Sequence, residues 1–575
     1  MYFKIERNSN ISESNLSGEI VDSVAKLKNE NIVERIWEKD HTVWRKDPAE
    51  ISNRLGWLDC VNFVKNRINE IEIFVDDIKE NFKHVLLLGM GGSSLAPEMF
   101  AEIFQTPEGY PDLHILDSTD PAAVKEKLNL FNPAETLYIV STKSGGTVET
   151  LSFMKFFYNE CIAKCGKEEA GKHFAAITDP GSGLEKTATG LNFRKIFLND
   201  PNIGGRYSAL SLFGMVPAAL VGIDLKRFLN DAERIIAESK NRIGESENSS
   251  AVLGAIIGTL ADKGKDKLTL FLSDEIREFG GWLEQLIAES VGKEGKGILP
   301  VDLEEILPVE NYSPDRVFVF VGLKDDDTFT ENIDEFKNAG FDVIEIALED
   351  IYNLAGEMFR WEFAVAVASK LLDVQPFDQP NVESAKIVAR KMVAEYIEKG
   401  SLPEETFFLK EGNLSFSNKT EKKKISEAVA EFIDQAFENG EPLAGKGRSY
   451  ISLQAFLTPA DGTTNIFHEF RTLLQKKYKC AVTFGYGPRF LHSTGQLHKG
   501  DAGNGIFIQF IADIKEDLPI PDEAGSDESS ITFGVLIHAQ AMGDREALKE
   551  NNRAVCVVKI SGDINEGLER LSEEF

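Results

Sequence analysis

The sequence predicts an α/β protein with two tandem domains, each a doubly wound parallel sheet covered by helices, followed by a mixed α/β region. From residue 84 onward, short strands that are apolar on both faces alternate with amphipathic helices, which is typical of buried parallel sheets. The pattern begins again near residue 250 and returns to strands after a polar stretch at 411–424. We therefore expect a helical N-terminal arm (1–80), a first domain (81–240), a second domain (241–400) and a mixed α/β C-terminal region (401–575).

The individual elements follow from short runs of sequence. The arm has apolar residues at helical spacing, for example Val33, Ile36 and Trp37. The strands of the first domain are HVLLLGM, DLHILDS, TLYIVSTKS and HFAAITDP, and those of the second are KLTLFLSD, RVFVFVGL and FDVIEIAL. The C-terminal region has the strands SYISLQAFL, KCAVTFGYG, GIFIQFIAD and AVCVVKISG, with FGVLIHAQAMGDREAL as a helix before the last.

Composition restricts the class of partner. A chain of 575 residues is too long for one hydrophobic core, and 42% hydrophobic with 27% charged residues is typical of a folded globular protein. The formal net charge of -31 argues against nucleic acid or an anionic membrane surface, because both would be repelled. Five cysteines without a zinc-type spacing, no signal pattern and no long apolar run predict reduced thiols in the cytoplasm.

The first of two candidate phosphate loops follows the strand HVLLLGM. Three glycines between 89 and 92 let backbone N–H groups converge on an anion at the start of the next helix. A dinucleotide-binding turn is the alternative, with Asp117 near the distance of a ribose-binding acid. Ser94 stands where that pattern has its third glycine, which weakens the alternative. Gly92 and Ser93 are therefore candidate phosphate contacts.

The second loop, STKSGGT at 141–147, offers hydroxyls, amides and one ammonium group to phosphate oxygens. An ordinary polar turn with a helix cap is the alternative. Because loops at the carboxyl ends of neighbouring parallel strands share a crevice, one phosphate between the two loops is the simplest hypothesis. The candidate contacts here are Thr142, Lys143, Ser144 and Thr147.

Arg206 comes after two glycines in DPNIGGRYSALSLFG, and such a small-residue approach can aim a guanidinium at an oxyanion. A surface arginine at a helix start is the alternative.

Two glutamates lie in the apolar helix of EQLIAESVGKEGKG (284–297). Each residue turns a helix by about 100°, so Gln285 and Glu289 share a face, whereas Glu284 and Glu289 point well apart. Glu289 is the candidate general base, at a helix end that approaches a glycine loop, and a helix-surface glutamate is the alternative. Glu284 is predicted to be solvated or salt-bridged.

Together these motifs resemble the phosphoglucose isomerase family, whose members contain two sugar-isomerase (SIS) domains. The last of the matching stretches is highly specific, and all occur in family order over about 300 residues: GMGGSSLAP (89–97), STKSGGTVET (141–150), GGRYSALS (204–211), EQLIAESVGKEGKG (284–297) and PFDQPNVESAK (376–386).

The resemblance implies a role for each matching residue. Glu289 matches the base that moves a proton between C2 and C1 through a cis-enediol, with Gln285 beside it, and Arg206 matches the arginine that stabilises the enediolate. Lys386 matches the lysine that assists ring opening, and Gln379 lies in the same motif. The phosphate contacts match Ser93, Thr142, Ser144 and Thr147, with Gly92 and Lys143 next to them.

The chain departs from the family pattern most clearly at the ring-opening histidine. The family places it between the base and the lysine, but none of the eight histidines lies between Glu289 and Lys386. A similar block occurs downstream in GPRFLHSTGQLHKG (487–500), which makes His492 the first choice and His498 the second. A structural role for both is the alternative. Smaller departures are Thr142, Gly146 and Asn381, where the family has serine, a hydroxyl residue and glycine.

This rearranged order is most similar to the isomerase part of bifunctional transaldolase/phosphoglucose isomerase proteins. A transaldolase barrel of about 250 residues cannot precede the isomerase motifs here, so we expect a stand-alone isomerase or a separated half. The family tends to form dimers that share a histidine across the subunit boundary, which makes a homodimer or a transaldolase partner an open question.

The resemblance therefore implies a cofactor-free and metal-free aldose–ketose isomerase of glycolysis and gluconeogenesis, acting on glucose 6-phosphate and fructose 6-phosphate. Two alternatives stay open: an isomerase that also accepts mannose 6-phosphate, and a non-catalytic SIS-domain sugar-phosphate sensor. A nucleotide-binding dehydrogenase comes last.

Overall fold

The computed structural model describes residues 1–6, 16–243, 248–438 and 449–575. The strands in chain order are β1 (Tyr2–Glu6), β2 (His84–Gly89), β3 (Asp112–Leu116), β4 (Thr136–Ser141), β5 (Phe174–Thr178), β6 (Lys195–Leu198), β7 (Lys267–Leu272), β8 (Leu299–Val301), β9 (Arg316–Leu323), β10 (Asp342–Leu348), β11 (Leu409–Glu411), β12 (Leu414–Phe416), β13 (Tyr450–Phe456), β14 (Val482–Tyr486), β15 (Gly505–Ala512), β16 (Pro519–Ile520), β17 (Ile531–Thr532) and β18 (Ala554–Ile560).

The helices in chain order are α1 (Gly18–Asn29), α2 (Ile32–Trp37), α3 (Cys60–Lys65), α4 (Ile68–Asn81), α5 (Leu95–Ile103), α6 (Pro121–Leu130), α7 (Val148–Cys165), α8 (Lys167–Ala170), α9 (Gly183–Gly190), α10 (Leu212–Val221), α11 (Leu225–Ser239), α12 (Ser249–Asp262), α13 (Phe279–Val291), α14 (Thr330–Asn338), α15 (Leu354–Leu371), α16 (Val382–Lys399), α17 (Ile425–Glu438), α18 (Asp461–Tyr478), α19 (Gly495–Gly500), α20 (Phe533–Glu550) and α21 (Ile564–Glu573).

The first sheet is parallel throughout, with the strand order β3-β2-β4-β5-β6. The order reverses between β2 and β4, and ligands of open α/β sheets bind at such a point, outside the carboxyl ends of the strands. The two candidate phosphate loops follow these two strands. The sheet therefore brings them together, as the sequence predicts.

The second sheet repeats this arrangement and takes its last strand from the N-terminus. Its order is β1-β10-β9-β7-β8, again parallel throughout. Strand β1 pairs with β10, with Tyr2 opposite Val343. The sequence-based prediction of a helical arm over residues 1–80 is therefore wrong for residues 2–6, although α1 to α4 follow as helices.

The C-terminal region forms a third sheet, with the order β11-β12-β18-β15-β13-β14. Four strands, β14, β13, β15 and β18, are parallel and repeat the order of the first four strands of the other sheets. The hairpin β11–β12 adds an antiparallel edge. The predicted α/β class is confirmed, with two tandem parallel sheets and a mixed third one.

Packing joins the three sheets into one body. One hydrophobic cluster runs through the first two domains and includes Ile36, Phe100, Ile256 and Phe359. The third domain has its own cluster around β13 and β15. A smaller cluster that includes Ala288 and Leu497 joins the third domain to α13. The loop that carries His492 is thereby held near the helix that carries Glu289.

Candidate active site

Helix α13 presents the candidate base on a buried face. Gln285 and Glu289 are one helical turn apart, and the Gln285 Nε2 atom lies 3.4 Å from Glu289 Oε2. The Glu289 residue is only 6% exposed. The helix ends before Gly292, where a Cβ atom would lie 2.4 Å from the Leu497 Cβ atom. Only glycine therefore lets the third domain approach so closely.

Arg206 is the charged partner of Glu289. Its Nη1 atom donates to Glu289 Oε2 at 3.1 Å and to Gln379 Oε1 at 2.9 Å. The other guanidinium nitrogens donate to the carbonyl oxygens of Pro376 and Asp378. Arg206 is 3% exposed, so it is a buried and fully oriented cation rather than a surface arginine.

A second cation holds the same loop. The buried Lys293 Nζ donates to the Asp378 backbone oxygen at 2.5 Å and to its Oδ1 at 2.8 Å. Desolvation, with the nearby Arg206 charge, lowers the pKa of Lys293 to about 7, while Asp378 raises it. The two cations fix the loop that carries Gln379. Sequence reasoning did not single out Lys293, although it lies within the 284–297 motif.

His492 pairs with a carboxylate of the same chain. Its Nε2 atom lies 3.0 Å from Glu149 Oε1, and an ionised carboxylate only accepts hydrogen bonds, so Nε2 carries the donated proton. Burial raises the pKa of Glu149, but the charge and hydrogen bond of His492, with Lys386, hold it below its ordinary value. Nδ1 is then the ring nitrogen that can exchange a proton with a ligand.

Glu149 was missed by sequence reasoning, although the signal was present. It stands two residues after Thr147 in the motif 141–150, in the first turn of α7. A second buried residue, Gln540 of α20, donates to the same Glu149 oxygen at 2.7 Å. This partner lies 391 residues away in the chain and carries no motif of its own.

The first candidate phosphate loop lies against Gln285 and the backbone of His492. Gly91 has a φ of +54°, and a Cβ atom there would lie 2.8 Å from the His492 carbonyl oxygen and 2.9 Å from Gln285 Nε2. At Gly92 a Cβ atom would lie 2.1 Å from the Gly205 oxygen, so a side chain would push away the segment of Arg206. Gly91 and Gly92 therefore let this loop pack closely against Gln285, the backbone of His492 and the segment before Arg206.

The second loop is preorganised at the start of a helix. Thr142 Oγ1 and Thr147 Oγ1 are 2.9 Å apart, and the Gly146 N–H donates to Ser144 Oγ at 3.3 Å. Helix α7 begins directly after Thr147, so its free N–H groups and dipole favour an anion at this place.

Lys143, a candidate phosphate contact, has protein partners outside its own loop. Its ammonium group forms an ion pair with Asp179 and donates to the Pro201 carbonyl oxygen at 2.9 Å. The structure therefore places this cation at the ends of β5 and β6 instead of over the hydroxyls. Sequence spacing cannot show this, because Asp179 is 36 residues away.

A cavity of about 330 Å³ brings several predicted residues together. Its lining includes Ser144, Thr147, Glu149, Lys386, His492 and Gln540. Lys386 enters from α16, which packs along α20. The cavity thus joins the phosphate loop to the histidine and the lysine that the sequence paired.

His498 lies apart from this cavity. It is 2% exposed, and its ring packs at 5.1 Å from Phe507 and 6.0 Å from Phe490 between ring centroids. Burial, with the nearby charges of Lys499 and Arg553, holds its pKa well below the ordinary value. The structure therefore places His498 in the interior of the third domain, and it is not among the residues that line the cavity.

Glu284 is half-buried, and no ion pair among the described residues includes it. Its Oε1 accepts from Ser493 Oγ at 3.3 Å, next to His492. Burial raises the pKa of Glu284 to about 7. Burial, with the nearby Glu284, also raises the pKa of Asp302 to about 7.

An ion-pair cluster anchors the histidine loop to the first domain. Arg489 contacts both carboxylate oxygens of Glu98 on α5, and its Nη1 lies 2.9 Å from Asp117 Oδ2. Burial opposes the charge of Arg489, but Asp117 and Glu98 raise its pKa. Asp117 is thus occupied by a protein cation, which disfavours the dinucleotide-binding alternative.

Within the described ranges, no group of three or more His, Cys, Asp or Glu side chains is placed to hold a metal ion. No helix in the same ranges is long and apolar enough to cross a bilayer.

Comparison with known proteins gives one consistent result. A sequence model of the phosphoglucose isomerase family matches residues 59–298. The chain is 33% identical over 250 residues to a glucose-6-phosphate isomerase of Carboxydothermus hydrogenoformans, covering 42% of this chain and 53% of that relative. It is 27% identical over 426 residues to a probable glucose-6-phosphate isomerase of Methanococcus maripaludis, covering 66% and 92%. The chain thus spans about half of the first relative and most of the second.

A solved structure supports the fold. The crystal structure of a glucose-6-phosphate isomerase from Chlamydia trachomatis aligns with a TM-score of 0.55 at 16% sequence identity. The alignment covers 66% of this chain and 86% of that one.

Proposed function

We propose that this chain is a member of the phosphoglucose isomerase family and interconverts glucose 6-phosphate and fructose 6-phosphate. The observation that carries the proposal is the Gln285 amide nitrogen. It lies 3.4 Å from the carboxylate of Glu289 and 2.8 Å from the carbonyl oxygen of His492. One amide thus contacts both the candidate base and the backbone of the residue that carries the candidate ring-opening imidazole.

Substrate binding starts at the phosphate. Its oxygens accept hydrogen bonds from the Ser144 and Thr147 hydroxyls and from N–H groups at the start of α7. Thr142 lies next to Thr147, and the loop of Gly92 and Ser93 follows the neighbouring strand β2. This cluster supplies hydroxyls and amides, and Lys143 is not part of it because its ammonium group pairs with Asp179.

Ring opening is assigned to His492, with Lys386 beside it. His492, held by Glu149 through Nε2, supplies a proton to the ring oxygen as the C1–O5 bond breaks. The O1 hydroxyl releases its proton to solvent and becomes the aldehyde oxygen. Lys386 lines the same cavity, where its ammonium group stabilises negative charge that develops on the sugar oxygens.

Isomerisation is assigned to Glu289. Its carboxylate takes the C2 proton, the electron pair of the C2–H bond forms the cis-enediolate, and the oxygen on C1 becomes a hydroxyl by gaining a proton. The O2 hydroxyl then loses its proton as the ketone forms, and Glu289 returns its proton to C1. Arg206, 3.1 Å from Glu289, and Gln379 stabilise the charge of the intermediate.

We also propose that one chain supplies a complete site, because His492 and Glu149 belong to the same chain. A second copy or a transaldolase partner is then not needed for the chemistry, whatever the assembly. A cytoplasmic location is supported by all five cysteines, each of which lies in the described part of the chain as a free thiol.

The test is a coupled assay that follows fructose 6-phosphate conversion by the purified 575-residue chain. We expect reversible turnover that needs no added metal or nucleotide, with mannose 6-phosphate run in parallel as the competing substrate. A rate equal to that of buffer would refute the proposal.

A further inference from the structure

A buried glutamine and a buried threonine lie behind Glu149, outside the steps described above. Gln540 is 4% exposed and Thr119 is fully buried. The Gln540 Nε2 atom donates to Glu149 Oε1 at 2.7 Å, and its Oε1 atom accepts from the Thr119 hydroxyl at 2.7 Å. The four side chains Thr119, Gln540, Glu149 and His492 thus form one continuous line of hydrogen bonds.

We propose that Gln540 and Thr119 act as a positioning relay that fixes the Glu149 carboxylate against His492 and so prepares the histidine for ring opening. This inference rests on the proposed isomerase function and adds two residues that no motif marks. Neither residue is assigned a contact with the reacting atoms.

The geometry allows only one orientation of the Gln540 amide. Glu149, as an ionised carboxylate, accepts hydrogen bonds only, so the NH₂ end of the amide must face it. The Thr119 hydroxyl faces the other end and donates to the amide oxygen. Threonine therefore holds the glutamine in the orientation that supplies a donor to the carboxylate.

The shared oxygen gives the relay its effect. Glu149 Oε1 receives both the His492 and the Gln540 donor, at 3.0 Å and 2.7 Å. Two donors on one oxygen fix the carboxylate rotamer and favour its ionised form, since hydrogen bonds to the charged form stabilise that form. The ionised carboxylate in turn keeps the proton on the Nε2 atom of His492. The charged groups that face Glu149 are His492 and Lys386.

Thr119 is itself held at the boundary between the first and third domains. Its neighbour Asp120 caps α6 through the N–H groups of Ala122 and Ala123. Asp120 Oδ1 also accepts from the Thr458 hydroxyl of the third domain at 2.9 Å. Gln540 belongs to the third domain and Glu149 to the first, so the relay crosses the boundary. Docking of the third domain therefore places both the histidine and the support of its carboxylate.

The test compares a sugar that closes into a ring with one that cannot. Fructose 6-phosphate is the ring-forming substrate, and 5-deoxyfructose 6-phosphate stays open because it lacks the hydroxyl that closes the ring. Gln540→Met keeps the side-chain volume but removes the donor. We expect kcat/KM to fall about 10- to 100-fold on fructose 6-phosphate, as for a lost hydrogen bond to a charged group, and less than about twofold on the open-chain analogue.

A second pair of variants keeps the test decisive if Gln540→Met does not fold. Thr119→Val removes the hydroxyl donor at constant shape, and Thr119→Ser keeps it. We expect a loss of about 3- to 10-fold for valine, confined to fructose 6-phosphate, and near wild-type rates for serine. Gln475→Met is the matched control, because Gln475 is a fully buried glutamine on another helix of the third domain.

Equal losses on both substrates, or no loss in any variant, would overturn the relay while leaving the isomerase function intact. An inactive wild type would instead refute the proposed function, and the relay with it.

Discussion

Replacing Glu289 with glutamine is the sharpest test of the proposed chemistry. The change is isosteric and removes the only group assigned to move the C2 proton. A positioned general base contributes about 10²- to 10⁴-fold, and this one acts twice, so we expect a kcat lower by about 10⁴-fold, or about 5.4 kcal/mol. The fold should survive, because Arg206 keeps Gln379 and the carbonyl oxygens of Pro376 and Asp378 as acceptors.

The expected stability loss is much smaller than the expected kinetic loss. Weakening one hydrogen bond to a charged group costs about 1.5 to 3 kcal/mol, which lowers the melting temperature by several degrees but leaves the protein folded at 25 °C. Binding of a sugar-phosphate inhibitor should be retained, because the phosphate loops are untouched. The Glu289→Gln variant should therefore lose activity but keep its affinity for the inhibitor.

Glu284→Gln is the matched control. It makes the same chemical change five residues earlier on the same helix, on a face about 140° away. We expect its kcat to stay within about twofold of wild type in the fructose 6-phosphate assay. Full activity in Glu289→Gln, or equal losses in both variants, would show that Glu289 is not the base.

Three further outcomes follow from the structure. His492→Ala should lose activity on ring-forming fructose 6-phosphate but keep it on the open-chain analogue, and an unchanged ratio between the two would exclude His492 as the ring-opening group. Arg489→Met should leave its two carboxylate partners without a counter-charge and lower both thermal stability and kcat, and wild-type values in a melting scan and in the assay would contradict an anchoring role. The raised pKa values of Glu284 and Asp302 mean that the folded state binds more protons than the unfolded state between about pH 4 and 7, so their contribution to stability is present at pH 4 and lost as the pH rises through 7. In urea unfolding, Glu284→Gln should therefore match wild type near pH 4 and exceed it at pH 8; equal stability at pH 8 would contradict burial of the charge.

Local geometry was enough to predict the helix that carries Glu289. The 100° turn per residue paired Gln285 with Glu289 and separated Glu284, and the structure has Gln285 and Glu289 in contact. The alternation of buried strands and helices likewise predicted the parallel sheets. These signals are periodic and local, so a single sequence contains them.

Long-range partners could not be predicted in the same way. Lys143 lies in a loop whose composition suits a phosphate, yet its ammonium group forms an ion pair with Asp179. Glu284 accepts a hydrogen bond from Ser493 of the third domain, 209 residues away. The strand over residues 2–6 was missed because its partner, β10, lies at the far end of the second domain. Each of these outcomes depends on which segments meet, and residue spacing does not record that.

The site itself was predicted in part. The motifs marked Arg206 and Gln379, which lie next to Glu289, and Lys386, which lines the cavity. His492 was found through a displaced block, while His498 in the same block is interior. The roles of these residues stay predictions until the variants are measured.

The pairing of β1 with β10 has a consequence for biosynthesis. Tyr2 pairs with Val343, which the ribosome adds roughly 340 residues later. At about 5 to 20 residues per second, a ribosome needs on the order of 20 to 70 seconds for that distance. The N-terminal strand therefore stays unpaired through much of translation, and β10 emerges with the open edge of its sheet exposed to other chains. Closing this edge is a late folding event that depends on a strand made roughly 340 residues earlier.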